Sequence, residues 1–595
     1  MILHENKSIK VDDLHENKNM AYVGWEVSWF PMSVKRIMGT ETEYAVSRPG
    51  TAYGQPVRLS FEVVGAAAKA DERHIRWDYR QEDPVNDARG TRLDRASARP
   101  DMLTDAPQLE VTNVIAPNGG RIYVDHAHPE YSSPETLDPF AALAWDKAGD
   151  RLMRRAAARA SAKAEAEGGA PVVLHRNNVD GKGASWGSHE NYAMDRAVPF
   201  ERVAALMTAH FVSRQIWAGS GHVGIGERSE RAGFQLSQRA DHFHMKVGLQ
   251  TTFDRPIINT RDESHDRAGR RRLHVIVGDA NLMDTPRALK LGATSMLLWA
   301  LEHAHEAGYD LDALLDALRL EDPVEAMHEV SHDLSLSKAL ACEGGGALTA
   351  WQMQVLLRGM VYEVAAALLG VDAKGEPLWE DRETRNVMAM WTQALTDVAV
   401  VRHACEDERL ALAGEASRLE WLLKWQLLER LRRRFACGWD DARLAAFDLQ
   451  WCLLDTERSP YAKLERAGRV ERVVSEAQVA RAEREAPEET RAWLRAAVVR
   501  RFPAQVVAAS WSHLTVRDPY ASDGAGDVPE PETYGNASAA SASSDPFGRV
   551  GGRGLRDVAD LDMSDPLAFG RERCAAVLDD APDAASALRA IAALA

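Results

Sequence analysis

The chain is poor in cysteine. Five occur in 595 residues (Cys342, Cys405, Cys437, Cys452 and Cys574), and none forms a CxxC pair. That spacing excludes a disulfide framework or a zinc knot and fits a reducing cytoplasm. No stretch approaches the roughly twenty uninterrupted apolar residues of a membrane span. The N-terminus lacks a basic region leading into an apolar core, which excludes a secretory signal. Positive charge is also in deficit: 72 Lys and Arg stand against 89 Asp and Glu, a formal net charge of −17. This balance excludes general binding to nucleic acid or anionic membrane. The local run Arg267-Ala-Gly-Arg-Arg-Arg272 is the one candidate for a basic groove, against a plain solvated loop. No Ser or Cys sits in a nucleophile motif. Gly221-His-Val-Gly-Ile-Gly226 loosely matches a dinucleotide fingerprint, but no βαβ unit or ribose-binding acid accompanies it, so it reads as a turn-rich loop.

What is present is acid at strand spacing. In Arg36-Ile-Met-Gly-Thr-Glu-Thr-Glu-Tyr44, Glu41 and Glu43 lie two residues apart in a β-like run, so both carboxylates point the same way. Like charges side by side repel, and burying them without a cation is costly. A hard divalent ion such as Mg²⁺ resolves the conflict. Asn118-Gly-Gly-Arg-Ile-Tyr-Val-Asp-His-Ala-His-Pro-Glu-Tyr131 repeats the pattern, with Arg121, Tyr123 and Asp125 on one strand face and Glu130 after them. The Gly/Asn-rich segment 177–192 carries His189. Gln235–Asp241, Ile257–His265 and Arg271–Asn281 add Arg239, Arg261 and His274. Carboxylates and imidazoles to hold ions, with arginines to neutralise phosphate oxygens, are what a Mg-nucleotide site requires.

The organisation is legible at low resolution. Residues 1–31, with Leu-His-Glu-Asn-Lys at both 3–7 and 14–18, read as an extension that is flexible or foreign to the natural chain. Residues 32–490 form the catalytic domain, β-rich as far as Asn281 and interrupted by a long polar insertion at 66–117. Helical spacing marks 140–166, 285–304, 311–320 and 411–435. Residues 491–595 form a small C-terminal domain containing a Ser/Ala/Gly/Pro-rich linker at 521–554, which has too little apolar surface to fold.

These blocks resemble the glutamine-synthetase-like carboxylate–amine ligase superfamily, in particular its branch acting on the ubiquitin-like protein Pup. Tyr123-Val-Asp-His-Ala-His-Pro-Glu-Tyr131 resembles the depupylase form of the motif. Arg76-Trp-Asp-Tyr-Arg-Gln-Glu-Asp-Pro-Val-Asn-Asp-Ala-Arg-Gly90 resembles a long loop that depupylases carry and ligases lack. The resemblance implies an α+β fold with a concave, largely antiparallel sheet backed by helices, and ATP and Mg²⁺ as cofactors. Its partners would be Pup and pupylated proteins, with no nucleic acid and no membrane, and the chain would act as a monomer. The implied reaction is hydrolysis of the isopeptide bond between the Pup C-terminal glutamate side chain and a lysine, with deamidation of a C-terminal Gln. ATP would be required but not consumed in each turnover. The alternative is the reverse reaction, Pup–protein ligation.

By the same resemblance Asp125 is the catalytic carboxylate, as nucleophile or as base for water. Glu41, Tyr123 and Glu130 would hold one Mg²⁺, and Glu43, His189 and His274 a second. Arg121, Arg239 and Arg261 would contact phosphates. Ser133 and Trp511 would complete the nucleotide site, Trp511 as a stacking partner for adenine.

Overall fold

The computed structural model describes residues 33–51, 54–98, 111–266, 269–519 and 558–594. The expectations for residues 1–31 and 521–554, and for 99–110 of the insertion, lie outside the described residues. Six strands make the central sheet: β1 (Met38–Glu43), β2 (Asn113–Ile115), β3 (Arg121–Asp125), β4 (His128–Ser132), β5 (Ser188–Asp195) and β6 (Arg270–Val275). Their order is β6-β5-β1-β4-β3-β2, with every pair antiparallel.

The two faces of β1 are assigned by chemistry. Helix α1 (Pro139–Ala166) packs behind it, started by Asp138, whose carboxylate accepts from Phe140 N and Ala141 N, and by Pro139 in its first turn. Asp146 of α1 accepts from the hydroxyls of Thr40 (3.2 Å) and Thr42 (3.4 Å), and Asp150 accepts from Tyr44 (2.9 Å). With Thr40, Thr42 and Tyr44 held at the back, Glu41 and Glu43 must face forward. The helix comes close enough that a Cβ on Gly149 would lie 2.2 Å from the Tyr131 ring. Behind β5 runs α2 (Asp284–His303), nearly all of it buried in the main hydrophobic core.

A second core joins Leu494, Val498, Leu514, Leu561, Leu578 and Leu588. It lies under a four-stranded sheet of Val506–Ala509, His513–Arg517, Val558–Asp562 and the short strand Arg76–Trp77. Arg76–Trp77 therefore comes from the segment read as an insertion, and it pairs parallel with Ala508 and Ala509.

Some helical boundaries differ from the sequence reading. The run 411–435 is not one helix: Ala413–Ala416 ends, and Glu420–Phe435 begins after an extended Leu419. The break turns Glu420 inward, where its carboxylate accepts from Leu282 N and Met283 N, a tertiary bond that overrides local propensity. Helices Pro56–Ala67 and Phe200–Ser213 stand inside the half read as strands and loops. The glycine-rich stretch, read as a turn-rich loop, instead contains a strand, His222–Ile225, that pairs antiparallel with Arg231–Gln235.

Candidate active site

Register assembles the site on the forward face. Glu41 lies between Ser132 of β4 and His189 of β5, whereas Glu43 lies opposite Glu130, which in turn pairs with Tyr123. The result is two groups of ligand atoms, each within 4.8 Å: Glu41 with His189 and His274, and Glu43 with Asp125 and Glu130. This partition differs from the expected one, which put Glu41 with Tyr123 and Glu130, and Glu43 with the histidines. Strand alternation shows that the residues share a face, but which carboxylate meets which imidazole is decided by pairing across strands distant in sequence.

Glu41 is tightly held. His189 Nδ1 lies 3.0 Å from Oε2, His274 Nε2 lies 3.6 Å away, and Asn191 and Arg272 each donate to Oε1 at 3.0 Å. Burial would raise its pKa, but His189, His274 and Arg272 overcome that and hold the carboxyl well below the usual range. Burial likewise opposes ionisation of Glu43, yet His128 at 2.9 Å, His189 and the Gly187 N–H at 2.7 Å bring it to about 2. Among the described residues no cation hydrogen-bonds to Glu130 in that way. Burial, then the charges of Asp125, Glu43 and Glu41, push it well above the normal value. Burial, then Glu130, raises Tyr123 as well, so its phenol keeps its proton and acts as a donor rather than an anionic ligand. Burial, then Arg272, lowers His274 to about 3, and neither ring nitrogen has a hydrogen-bond partner. A neutral imidazole like this, with only Glu41 at 3.6 Å beside it, is a competent metal ligand.

Asp125 ends β3 at the tip of the β3–β4 hairpin. His126 takes the left-handed conformation there (φ 49°), and its Nδ1 lies 2.9 Å from the Asp125 carboxylate. A cavity of about 360 Å³ opens beside it, lined among others by Glu41, Asp125, Glu130, His189, Arg261 and Trp511. Arg121 lines it too, held between the rings of Trp77 (4.1 Å) and Tyr123 (4.0 Å). Ser133 and Trp511 meet in an adjoining pocket of about 110 Å³, where Ser133 Oγ accepts from Thr40 N. Arg239 is apart from these, buried behind the Ser185 segment.

Sequence reasoning missed several contributors. Asn191, Arg272 and His128 lie two residues from His189, His274 and Glu130, so the same alternation could have found them. The run near Arg270 forms neither a basic groove nor a solvated loop over its described part. Arg270 pairs with Asp266 (2.5 Å), Arg271 approaches Asp262 (4.0 Å) and Arg272 pairs with Glu41 (3.0 Å). Glu82, whose Oε1 accepts from Trp77 Nε1 (2.7 Å) and lies 3.6 Å from Arg121, carried no signal readable in the sequence.

An antiparallel sheet presenting rows of carboxylate, imidazole and guanidinium, backed by helices, defines a glutamine-synthetase-like enzyme fold. The chain belongs to the Pup-ligase protein family, whose model matches residues 36–515. It is 43% identical over 486 residues to the Pup deamidase/depupylase of Mycolicibacterium smegmatis, covering 81% of this chain and 91% of that protein. It is 35% identical over 412 residues to the Pup–protein ligase of Acidimicrobium ferrooxidans, covering 68% of this chain and 84% of that one. Among solved structures it resembles the Pup ligase PafA in complex with ADP, with a TM-score of 0.62 at 25% identity over 85% of this chain and 95% of that one. The complex of Pup with PafA matches with a TM-score of 0.64 at 26% identity, over 81% and 87% of the two chains. Among the described residues no helix is long and apolar enough to cross a membrane.

Proposed function

We propose that this protein is a depupylase and Pup deamidase that works with bound ATP and Mg²⁺. It cleaves the isopeptide bond between the γ-carboxyl of the Pup C-terminal glutamate and a substrate lysine. It also hydrolyses the side-chain amide of a C-terminal glutamine, since both reactions remove an amine from a γ-carboxamide. The observation that carries the reading is Asp125 at the hairpin tip, beside Glu43 and Glu130 and open to the cavity. The identity with a depupylase over most of both chains favours hydrolysis, whereas ligases are more distant relatives.

The residues fit the cofactors. Glu43, Asp125 and Glu130 offer the all-oxygen set that Mg²⁺ prefers, and their mutual repulsion is relieved by a cation. Glu41, His189 and His274 offer a mixed nitrogen and oxygen set for a second divalent ion. Divalent ions there would stabilise oxyanion charge on the scissile carbonyl. Arg121 and Arg261 line the cavity with Trp511 and would neutralise nucleotide phosphates bound there, in keeping with a relative solved in complex with ADP. Asp125 supplies the attacking carboxylate, either directly or by taking the proton of a water molecule.

The test is a gel assay of the purified protein with Mg-ATP and a Pup–protein conjugate, run beside free Pup, target protein and Mg-ATP. Release of intact Pup and unmodified target, dependent on nucleotide, is the expected result. Conjugate formation in the parallel reaction without release would establish ligation instead.

A further inference from the structure

The strand pair at the glycine-rich stretch carries chemistry that the site on the central sheet does not use. His222 lies between two side-chain oxygens: its Nδ1 is 2.9 Å from Asp448 Oδ2 and its Nε2 is 3.1 Å from Ser229 Oγ. Asp448 is buried on the helix Ala442–Trp451, where Lys424 Nζ donates to its other oxygen at 2.9 Å and Val223 N donates to Oδ2 at 2.9 Å. Burial opposes its charge, but Lys424 and then His222 hold the carboxyl well below the usual range. An ionised carboxylate only accepts, so in the neutral imidazole Nδ1 carries the proton and Nε2 accepts from the Ser229 hydroxyl. A hydroxyl, a base and an orienting carboxylate in hydrogen-bond reach are the signature of an activated serine, which is recognised by geometry and not by chain position. No local motif announces it, because Asp448 comes from 226 residues beyond His222.

The backbone is shaped around that hydroxyl. Ser229 sits at φ 52°, a conformation that serine adopts at a cost, and strain of this kind collects at functional sites. The turn that holds it is fixed twice: Gly226 N donates to Asp241 (2.9 Å), and Ser229 N donates to Gly226 O (3.0 Å). Two glycines clear the space. A Cβ on Gly224 would lie 2.3 Å from Ser229 Cβ, and one on Gly181 would lie 3.3 Å from Ser229 Oγ. Among the described residues the Gly181 N–H has no hydrogen-bond partner, which makes it the candidate donor to an oxyanion formed at Ser229. His222 and Ser229 are only partly buried and line neither of the two cavities described above.

We propose that Ser229, His222 and Asp448 form a second catalytic centre, a serine triad that hydrolyses small, short-chain carboxylic esters. The Ser229 oxygen bonds to the ester carbonyl carbon while its proton passes to His222 Nε2. Collapse of the tetrahedral adduct breaks the bond to the alcohol, which leaves with that proton, and acyl-Ser229 remains. A water molecule, giving its proton to His222, then attacks the acyl carbon, and the acid departs as the proton returns to Ser229 Oγ. The sum is ester plus water to acid plus alcohol, with no cofactor. Asp448 is a positioning residue that fixes the imidazole tautomer. The position outside both cavities limits the acyl chain to a short one. This centre is separate from the depupylase reading and does not rest on it.

The experiment treats the full-length protein with p-nitrophenyl acetate and, separately, with a fluorophosphonate probe that bonds to an activated serine oxygen and releases fluoride. Release of p-nitrophenolate is followed, and the labelled residue is mapped by mass spectrometry of a proteolytic digest. The probe is expected on Ser229 in the folded protein and not in urea-unfolded protein. Ester hydrolysis should be lost in Ser229→Gly, a change that suits the left-handed backbone there and removes only the hydroxyl. His222→Gln should slow labelling of Ser229 by at least about 100-fold. Because the mapping is done on the wild type, a poorly folding variant does not spoil the test. No label on Ser229, undiminished ester hydrolysis in Ser229→Gly, or equal labelling of Ser229 in His222→Gln and the wild type overturns the triad.

Discussion

At the scale of single residues, Gly187 marks how tightly the two acidic groups are packed. A Cβ there would lie 2.4 Å from His189 Nε2 and 2.7 Å from Glu43 Oε1, one residue from each group. Gly187→Ala must displace both, and misplacement by about an ångström typically costs on the order of 100-fold in rate. We expect kcat to fall by about that factor while the thermal unfolding midpoint moves little, and unchanged kcat would show that the site tolerates the shift. Asp125 and Glu41 should separate differently. Asp125→Asn is expected to abolish turnover while weakening Mg-nucleotide binding less than Glu41→Ala does, because the amide oxygen still offers a neutral ligand. Calorimetric titration of both variants distinguishes these outcomes, and normal turnover by Asp125→Asn would remove that residue from catalysis. The side chains involved were legible in the sequence because strand alternation is local. Their partition into Glu41 with imidazoles and Glu43 with carboxylates was not, because it depends on register between strands about 90 and about 150 residues apart.

At the scale of elements, the segment after Trp77 is a built part of the cavity wall. Asn86 exchanges hydrogen bonds with Asp262, Ala88 N donates to Thr260 O (2.8 Å), and Thr260 Oγ1 donates to Asp87 (2.9 Å). Between Trp77 and these anchors Glu82 reaches Arg121, the guanidinium expected to serve a phosphate. Burial, partly offset by Arg121, raises Glu82 to about 7. Below that pH it is a neutral acid and leaves Arg121 free for an anion. Above it, the ionised carboxylate competes for the same cation. Nucleotide affinity should therefore fall as pH rises through about 7, by several-fold, and Glu82→Gln should bind nucleotide more tightly and flatten the profile. A pH series of fluorescent ADP titrations checks this, and parallel profiles for the two proteins would mean that Glu82 does not compete. The glycine, proline and charge of this segment announced a long insertion, yet its strand and its anchors could not be seen. Each is a contact with a partner remote in sequence, and local propensity is silent about those.

At the scale of the whole molecule, one carboxylate gathers two arginines that follow residue 490 against the end of the central sheet. Glu135, just beyond β4, accepts from Arg491 Nε (2.7 Å) and Arg495 Nη2 (2.6 Å). Burial works against its charge, but Arg495 and Arg491 bring it to about 2. A carboxyl depressed in the folded state stabilises at pH above its unfolded value of about 4.3, and that contribution disappears as pH falls toward 2. Glu135→Gln leaves two buried guanidinium groups uncompensated, which should cost about 3–5 kcal/mol at neutral pH. Denaturant unfolding across pH 7 to 2 should show the variant less stable at the top of that range and less sensitive to acid. A variant as stable as the wild type would mean that the arginines find another anion. The α+β architecture with an antiparallel sheet was readable from alternating strands followed by amphipathic helices, whereas the joint between its two cores was not. That joint has a practical meaning for protein engineering. Because Arg76 and Trp77 are laid as a strand along Ala508 and Ala509, while Ala88 is pinned to Thr260, the intervening stretch is not a cassette that can be moved alone. Grafted onto a scaffold without that C-terminal edge, it would hang from one end, and a recipient would need both mooring points to gain its shape.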